Sequence, residues 1–292
     1  MKRTRRFLRT LTNNLRKYLL PIFILLTVGF QLSCDDPFPS YYDPRFHNEP
    51  DNCDVFFQVT INAIAVDERT GNMFAGGSFC SVNGVKAYNI IFYDKVKDTF
   101  HALDSGGLVN DNSKEESYVK SLTISGRYLY VGGSFSRTAS LDFPSSGLNN
   151  IARYDIDSRI WSPLLDEGVN GDVNALVFSG NHLFVGGSFS ETFVGSPNLN
   201  NIARYVEANT CMSGCWQSLS GNGLNNTVHA LEISQLFPNN VFVGGEFTQS
   251  HNGSQTNLNR IARFDGNLWF PLYGNGLNNT VRALKSEGGY IY

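Results

Sequence analysis

The chain has 292 residues, of which 41% are hydrophobic, 13% aromatic and 17% charged, and its formal net charge is −3. This composition is that of a folded, aromatic-rich protein and excludes a disordered chain. The small negative charge does not favour nucleic acid as a partner, because nucleic-acid-binding domains carry a basic surface.

The first 34 residues have the pattern of an export signal. Seven basic residues and no acidic residue precede an apolar run from Tyr18 to Ser33. The run is shorter than the roughly 20 residues that span a bilayer as a helix, so an uncleaved anchor is the weaker interpretation. The segment Leu32-Ser33-Cys34 resembles the lipobox of bacterial lipoproteins, which implies a signal peptide over 1–33 and lipid attachment at Cys34. The alternative is an ordinary signal peptide with a cysteine nearby.

Removal of residues 1–33 leaves 16 Lys and Arg against 26 Asp and Glu, a formal charge of −10. Such a surface disfavours nucleic acid and anionic lipid headgroups. Residues 34–54 are proline-rich and lack an apolar period, so we expect a tether between the lipid and a domain over 55–292. The lipoprotein interpretation predicts a location in a bacterial cell envelope, periplasmic or at the cell surface. The membrane would then be a partner through the lipid anchor.

Four cysteines remain after Cys34, and an oxidising compartment favours their pairing. Cys211 and Cys215 are close enough in sequence to close a small loop, and Cys53 and Cys80 remain for a second disulfide. Four cysteines allow three pairings, and only their proximity in sequence favours this one.

One phrase recurs along the chain at nearly even spacing. The motif V-x-A-L and its variants begin at Ile61, Val119, Val173, Val228 and Val281, with intervals of 58, 54, 55 and 53 residues. Each full interval contains four short runs rich in Val, Ile, Tyr, Phe and Trp, separated by Gly, Asn, Ser and Asp, which is typical of strands and turns. A four-stranded unit of about 50 residues is typical of a β-propeller blade. We therefore predict an all-β propeller with four full repeats, 61–118, 119–172, 173–227 and 228–280, and a partial fifth, 281–292.

The second repeat resembles the kelch repeat, with Gly132-Gly133, then Tyr154 and then Trp161. The fuller wording VGGSFS…NNIARYD…W is similar to kelch-related repeats of secreted bacterial proteins and fungal cortical polarity markers. The resemblance covers about 61–292 and implies a propeller whose recurring residues are structural. These residues are Gly76, Gly77, Gly132, Gly133, Gly186, Gly187, Gly244, Gly245, Trp161, Trp216 and Trp269.

The double glycines favour a structural role over a phosphate-binding one. A phosphate loop needs a helix after it, and none is predicted here. Glycine allows close backbone approach or a positive φ, so we expect Gly132 and Gly133 to end the second strand beside the next blade. The phenylalanine that follows each pair, such as Phe135, is expected to fill the space between blades.

Two other recurrent groups have both a structural and a binding interpretation. Arg153, Arg204 and Arg263 are expected to form hydrogen bonds between blades, with an anion site as the alternative. The stretches GNGLNNTV at 221–228 and 274–281 are explained best by turn formation, and carbohydrate or cation contact is the alternative.

No catalytic, metal or cofactor site emerges from the residue pattern. The five histidines are scattered, with no carboxylate or cysteine at metal-ligand spacing. We predict a non-catalytic scaffold that binds glycan or protein and needs no cofactor. The alternative is a glycan-active enzyme with carboxylates at the propeller axis, which a convergence of Asp, Glu, His or Tyr there would favour.

The loops between the second and third strands differ most among the repeats and are polar, apart from Phe143 and Phe193. We expect them to share one face with the connections from each fourth strand to the next blade, and that face to carry any ligand. Replacement of 137–148 and 191–199 by Gly-Ser turns is expected to preserve folding and abolish binding. The partial fifth repeat predicts either a longer protein or pairing of the last strands with residues 55–59.

Overall fold

The computed structural model describes residues 60–111, 116–140, 145–195, 198–206, 215–234, 236–272 and 274–292. Cys34, the tether, Cys53, residues 55–59, Phe143 and Cys211 lie outside these ranges. Within them, no helix combines the length and the apolar character that crossing a membrane requires. Two single-turn 3-10 helices, Asp104–Gly106 and Leu165–Glu167, follow fourth strands.

The described residues fold into four four-stranded antiparallel sheets, which confirms the predicted all-β propeller class. Blade 1 contains β1 (Thr60–Val66), β2 (Met73–Ser78), a small hairpin of β3 (Ser81–Val82) and β4 (Val85–Lys86), β5 (Ile90–Asp94) and β6 (Thr99–Ala102). After β7 (Leu108–Val109), blade 2 contains β8 (Tyr118–Ser125), β9 (Tyr128–Ser134), β10 (Arg137–Thr138), β11 (Ile151–Asp155) and β12 (Ile160–Pro163).

Blades 3 and 4 repeat the pattern without the extra short strands. Blade 3 contains β13 (Val173–Ser179), β14 (His182–Gly187), β15 (Ile202–Val206) and β16 (Trp216–Ser218). Blade 4 contains β17 (Val228–Ile233), β18 (Val241–Gly245), β19 (Ile261–Phe264) and β20 (Trp269–Pro271). A hairpin of β21 (Ser286–Glu287) and β22 (Tyr290–Ile291) follows.

The V-x-A-L motif forms a β-bulge in the first strand of every full blade. In blade 2, Val119 pairs with Gly133 and Ser121 pairs with Gly132, so Lys120 is the extra residue. The same shift occurs between Ile61 and Ala63, between Val173 and Ala175, and between Val228 and Ala230. A bulge bends and twists its strand locally. The motif therefore encodes a bend at the same place in each first strand.

The two glycines of each pair have different roles, and none of the eight is in the left-handed region. The first glycine faces the next repeat, where a Cβ would overlap the valine of V-x-A-L: Gly132 faces Val173 and Gly186 faces Val228. The second glycine faces its own blade, where a Cβ at Gly187 would overlap the carbonyl oxygen of Asp172. One glycine thus permits close packing between blades, and the other permits the bulge within a blade.

The tryptophan that recurs in repeats 2 to 4 joins its blade to the preceding one. The indole nitrogens of Trp161, Trp216 and Trp269 donate to the carbonyl oxygens of Asp104, Leu165 and Ser220, at 3.1, 2.8 and 2.8 Å. The acceptors lie just after the fourth strand of the blade before. Each indole also packs at an angle against the Tyr or Phe ring of its own third strand, with ring centroids 4.8–5.1 Å apart. In blade 1, Phe100 takes this place and packs on Tyr93.

The core consists of buried clusters, and the two described next each join two adjacent blades. One contains Tyr130 and Ile151 of blade 2 together with Val173 and Phe189 of blade 3. Another joins Phe184 and Ile202 of blade 3 to Val228 and Phe247 of blade 4. The phenylalanine after the double glycine therefore lies in a core shared by two blades, where burial of large apolar side chains stabilises their packing.

Tyr93 provides a pH-dependent contribution to stability. Its hydroxyl donates to Asp98 in the turn of its own blade, and this hydrogen bond is the main reason that its pKa rises from 10.0 to about 12. Because the folded state favours the protonated phenol, the contribution is fully present below pH 10 and is lost as the pH rises from 10 through about 12. Unfolding free energies measured across this range should converge for the wild type and Tyr93→Phe. Parallel curves would contradict this assignment.

Candidate interaction surface

We define the loop face as the side formed by two sets of connections. One set links the second and third strands at 79–89, 135–150, 188–201 and 246–260, and the other links each fourth strand to the next blade at 103–117, 164–172, 219–227 and 272–280. The sets lie side by side: Phe193 N donates to Gly168 O at 3.0 Å, and His251 N donates to Gly223 O at 3.0 Å. The opposite side, formed by the hairpin turns, is called the turn face.

Asparagine side chains connect the loops of the loop face through hydrogen bonds to the backbone. Just before the third strands, the side-chain nitrogens of Asn89, Asn150 and Asn201 each donate at 2.9 Å to a carbonyl oxygen of the connection that follows their blade. The acceptors are those of Leu108, Val169 and Leu224. In the fourth repeat Arg260 stands at this position and donates to the carbonyl of Glu246. These amides are occupied in holding the protein's own backbone.

A second set of asparagines ties each connection to the next blade. Asn170 Oδ1 accepts from Ser190 N at 2.9 Å, and Asn225 Oδ1 accepts from Thr248 N at 2.9 Å. Single bridges between Val169 and Thr192 and between Leu224 and Ser250 reinforce these junctions. The connections 164–172 and 219–227 are thus bonded to the blades on both of their sides. Asn225 of GNGLNNTV at 221–228 therefore serves structure, and it is not available for carbohydrate or cation contact without loss of these bonds.

Substitutions of Asn201 test how much these side-chain hydrogen bonds contribute to stability. Its φ is +66°, which Asn tolerates better than most residues, and its amide satisfies the carbonyl of Leu224. We expect Asn201→Ala to lower the free energy of unfolding by about 2 kcal/mol, because it leaves a carbonyl unpaired and strains the backbone. Asn201→Gly also loses the hydrogen bond but does not strain the backbone, so its cost should be about half. Urea unfolding followed by circular dichroism measures both. An Asn201→Gly variant as stable as the wild type would show that the amide contributes nothing, and equal costs of the two variants would show that backbone strain contributes nothing.

A polar cluster lies along the first strands, where the axial alternative would place an active site. The hydroxyl of Tyr118 donates to Asp172, and Lys120 Nζ donates to Asn174 Oδ1 at 3.0 Å. In the next blade, His229 Nε2 lies 3.1 Å from Glu246 Oε1. Tyr and Asp thus meet in one contact and His and Glu in another, so the described residues place two separate pairs here rather than the single convergent group that sequence analysis had set as the condition favouring an enzyme.

The chemistry of this cluster does not suit catalysis by Tyr118. Burial and the hydrogen bond to Asp172 raise the pKa of Tyr118 well above its ordinary value, so the phenol stays protonated at neutral pH. Lys120 lies over the Tyr118 ring at 4.7 Å and 3.9 Å from Asp172, which balances the carboxylate. No group of three potential metal ligands occurs among the described residues. The hydrogen bonds of Tyr118 and Lys120 join the first strand of blade 2 to the start of blade 3.

The recurrent arginines act within blades, so the expectation of hydrogen bonds between blades was wrong for two of them. Arg204 donates to Gln217 Oε1 on the neighbouring strand of its own blade, at 2.6 and 2.9 Å. Arg263 lies over the ring of Phe270 and donates to Asn240 Oδ1 at 3.3 Å, again within its blade. Arg153 lies over the ring of Tyr128. Arg204 and Arg263 are therefore already held by side chains of their own blades.

Cys80 and Cys215 are the two described cysteines, and Cys215 is buried beside Trp216. The pairings of Cys53 with Cys80 and of Cys211 with Cys215 stay predictions, since one partner of each lies outside the described residues.

Comparison with known proteins gives the family. Residues 90–285 match the family described as the Rax2 C-terminal beta propeller domain. The chain belongs to this family. The matched part begins at β5 and extends into the partial fifth repeat, so it includes three full blades and the loop face between them.

Two fungal proteins are similar to this Rax2-family chain. Polarized growth protein L1 of Phoma sp. is 29% identical over 170 residues, which cover 56% of the chain and 12% of that protein. Polarized growth protein rax2 of Schizosaccharomyces pombe is 34% identical over 121 residues, covering 41% of the chain and 9% of that protein. The matched segments thus span about a tenth of these relatives.

Among solved structures, the designed Ika8 protein has a TM-score of 0.44 at 16% identity, covering 80% of the chain and 55% of that protein. The designed Ika4 protein has a TM-score of 0.37 at 17% identity, covering 62% and 86%.

Proposed function

We propose that the protein is a non-catalytic scaffold that presents its loop face to a protein or glycan partner outside the cytoplasm. The observation that carries this proposal is the hydrogen-bonded loop face, which holds loops of different sequence on a repeated frame. Rigid frames with one variable face commonly serve recognition. Membership of the Rax2 family, whose two similar fungal proteins are named for polarized growth, is compatible with this role.

Site-specific photo-crosslinking in cells tests the proposal. A photoreactive amino acid at His251 or Leu277 on the loop face should capture a partner, whereas the same amino acid at Leu268 or Leu236 on the turn face should not. All four side chains are exposed. Capture from the turn face alone would overturn the proposal and assign recognition to the other side.

The structure changes the design of the loop-replacement experiment. The segments 137–148 and 191–199 contain Thr138, Leu148, Thr192 and Leu199, all of which are buried. Their replacement by Gly-Ser turns would remove core contacts as well as surface, so lost binding would not identify the surface. Substitutions of exposed side chains are the better test.

Lipid attachment at Cys34 belongs to the same proposal. The basic start, the short apolar run and the small residue before the cysteine support it, and they suggest a bacterial envelope. The two similar proteins are fungal, which favours an ordinary signal peptide instead. Mass spectrometry of the mature N-terminus separates these possibilities: an acylated Cys34 supports the anchor, and a free amine at another residue excludes it.

The glycan-active enzyme remains the second candidate only because of the polar cluster at the first strands. Assays of the full chain on glycans, with Asp172→Asn and Glu246→Gln as variants, test it. Turnover that both substitutions abolish, in protein that remains folded, would establish the enzyme.

A further inference from the structure

Three apolar side chains are exposed at the junction between blades 2 and 3 on the loop face. Leu165, Phe193 and Val194 have 44%, 54% and 67% of their surface accessible, and we call them the Phe193 patch. Large apolar side chains on a binding face serve as anchors for a partner when the backbone beneath them is fixed.

The backbone beneath the Phe193 patch is fixed from both blades. Trp216 and Tyr205 of blade 3 hold Leu165 through its carbonyl oxygen and its amide, at 2.8 and 3.5 Å. Phe193 N donates to Gly168 O, and the adjacent Thr192 is fully buried in its bridge to Val169. The exposed side chains therefore lie on an ordered junction. Binding there costs less conformational entropy than binding to a mobile loop, because the loop is already ordered.

Charge identifies the kind of partner. The two segments that build the junction, 164–172 and 188–195, contain four carboxylates and no Lys, Arg or His. Lys120 neutralises Asp172, whereas Glu167 is exposed and Glu191 accepts an amide hydrogen bond from the uncharged Asn170 at 3.3 Å. A complementary partner carries positive charge around an apolar side chain.

The loop face as a whole has the same sign. Its described residues in the two sets of connections include eight Asp and Glu, at 104, 111, 116, 166, 167, 172, 191 and 246, against Lys86, Arg137 and Arg260. A neutral glycan gains nothing from this excess of negative charge, whereas a cationic segment is attracted to it at long range. The charge balance of the loop face therefore favours a protein partner over a glycan.

We infer that the Phe193 patch docks a basic protein segment, with Phe193 and Val194 contacting an apolar side chain of the partner and Glu167 and Glu191 facing its Lys or Arg residues. This inference rests on the proposed scaffold function and names the partner class for the loop face. It places recognition at the junction of two blades rather than at the axis.

The test uses the full chain and a short fluorescein-labelled peptide of Lys, Leu and Ser residues, followed by fluorescence anisotropy. Its counterpart with Glu in place of Lys, and neutral oligosaccharides, serve as competing probes. The Lys peptide should bind, the Glu peptide should not, and binding should weaken as salt rises from low to physiological strength.

Matched variants locate the site. Phe193→Ser should weaken binding roughly tenfold, as expected for an anchor residue. Ile160→Ser, which removes a similarly exposed apolar side chain from the turn face, should leave affinity unchanged. Glu167→Gln with Glu191→Gln should weaken binding about fivefold, mainly through slower association. Glu68→Gln with Glu287→Gln, which removes two charges from the turn face, should not.

Equal losses from the loop-face and turn-face charge pairs would show non-specific attraction and overturn the inference. Oligosaccharide binding that Phe193→Ser abolishes would also overturn it, while leaving the scaffold function intact. Partner capture from the turn face alone, in the crosslinking experiment, would overturn both.

Discussion

Replacement of Gly187 by Ala is expected to lower the free energy of unfolding by about 3 kcal/mol or more, because the added methyl group overlaps backbone rather than a movable side chain. The overlapped atom is the carbonyl oxygen of Asp172, which lies beside the bulge of the same blade. Relief of this overlap would require the first and second strands of blade 3 to separate where they pair.

Gly180→Ala is the matched control. Gly180 has a φ of +57° in the turn between β13 and β14, and its Cβ would meet no atom within 4 Å. We expect it to cost about 1 to 2 kcal/mol, which is the backbone strain alone. Urea unfolding followed by circular dichroism compares the two variants. If Gly187→Ala cost no more than Gly180→Ala, the close approach would not be required for folding.

Replacement of Trp269 by Ala is expected to cost about 3 to 5 kcal/mol, since it removes a fully buried indole from the core shared by blades 3 and 4. Trp269→Phe retains much of the packing on Phe264 but leaves the carbonyl of Ser220 without its donor, which should cost about 1 to 3 kcal/mol.

Leu268→Ala serves as the control, because Leu268 precedes Trp269 but is exposed. Its substitution should change the free energy of unfolding by less than about 0.5 kcal/mol. The same urea titrations apply. Equal stabilities of the Trp269→Ala and Trp269→Phe variants would mean that the hydrogen bond to Ser220, not the volume of the ring, is what holds the blades together.

The repeat pattern was sufficient to predict the blades, since four runs of strand-forming residues recur with the same turn residues between them. It also predicted that Gly132 lies beside the next blade, where the structure places Val173. It did not separate Gly132 from Gly133, because that distinction depends on the bulge at Lys120. A bulge is a matter of register between two strands, and register is not visible in the composition of either strand.

The loop face was predicted in outline but not in its bonding. Turn formation was the sequence-based explanation for the asparagines of 221–228, yet the side chain of Asn225 accepts a hydrogen bond from Thr248, 23 residues away. Asn150 and Asn201 likewise reach carbonyls 19 and 23 residues away. The arginine prediction failed for a related reason. Arg204 finds Gln217 on the adjacent strand, and only strand pairing brings that side chain within reach.

The hydrogen bonds made by the tryptophans have a direction along the chain that bears on how the protein is made. Trp161, Trp216 and Trp269 each donate to a carbonyl that precedes them by 57, 51 and 49 residues. During synthesis, the acceptor of each bond therefore leaves the ribosome before its donor, so every new blade meets a neighbour that is already complete. Domains and repeats that emerge first can fold first, and this order lets the propeller grow from its N-terminal blade by successive docking, without waiting for the last strands of the chain.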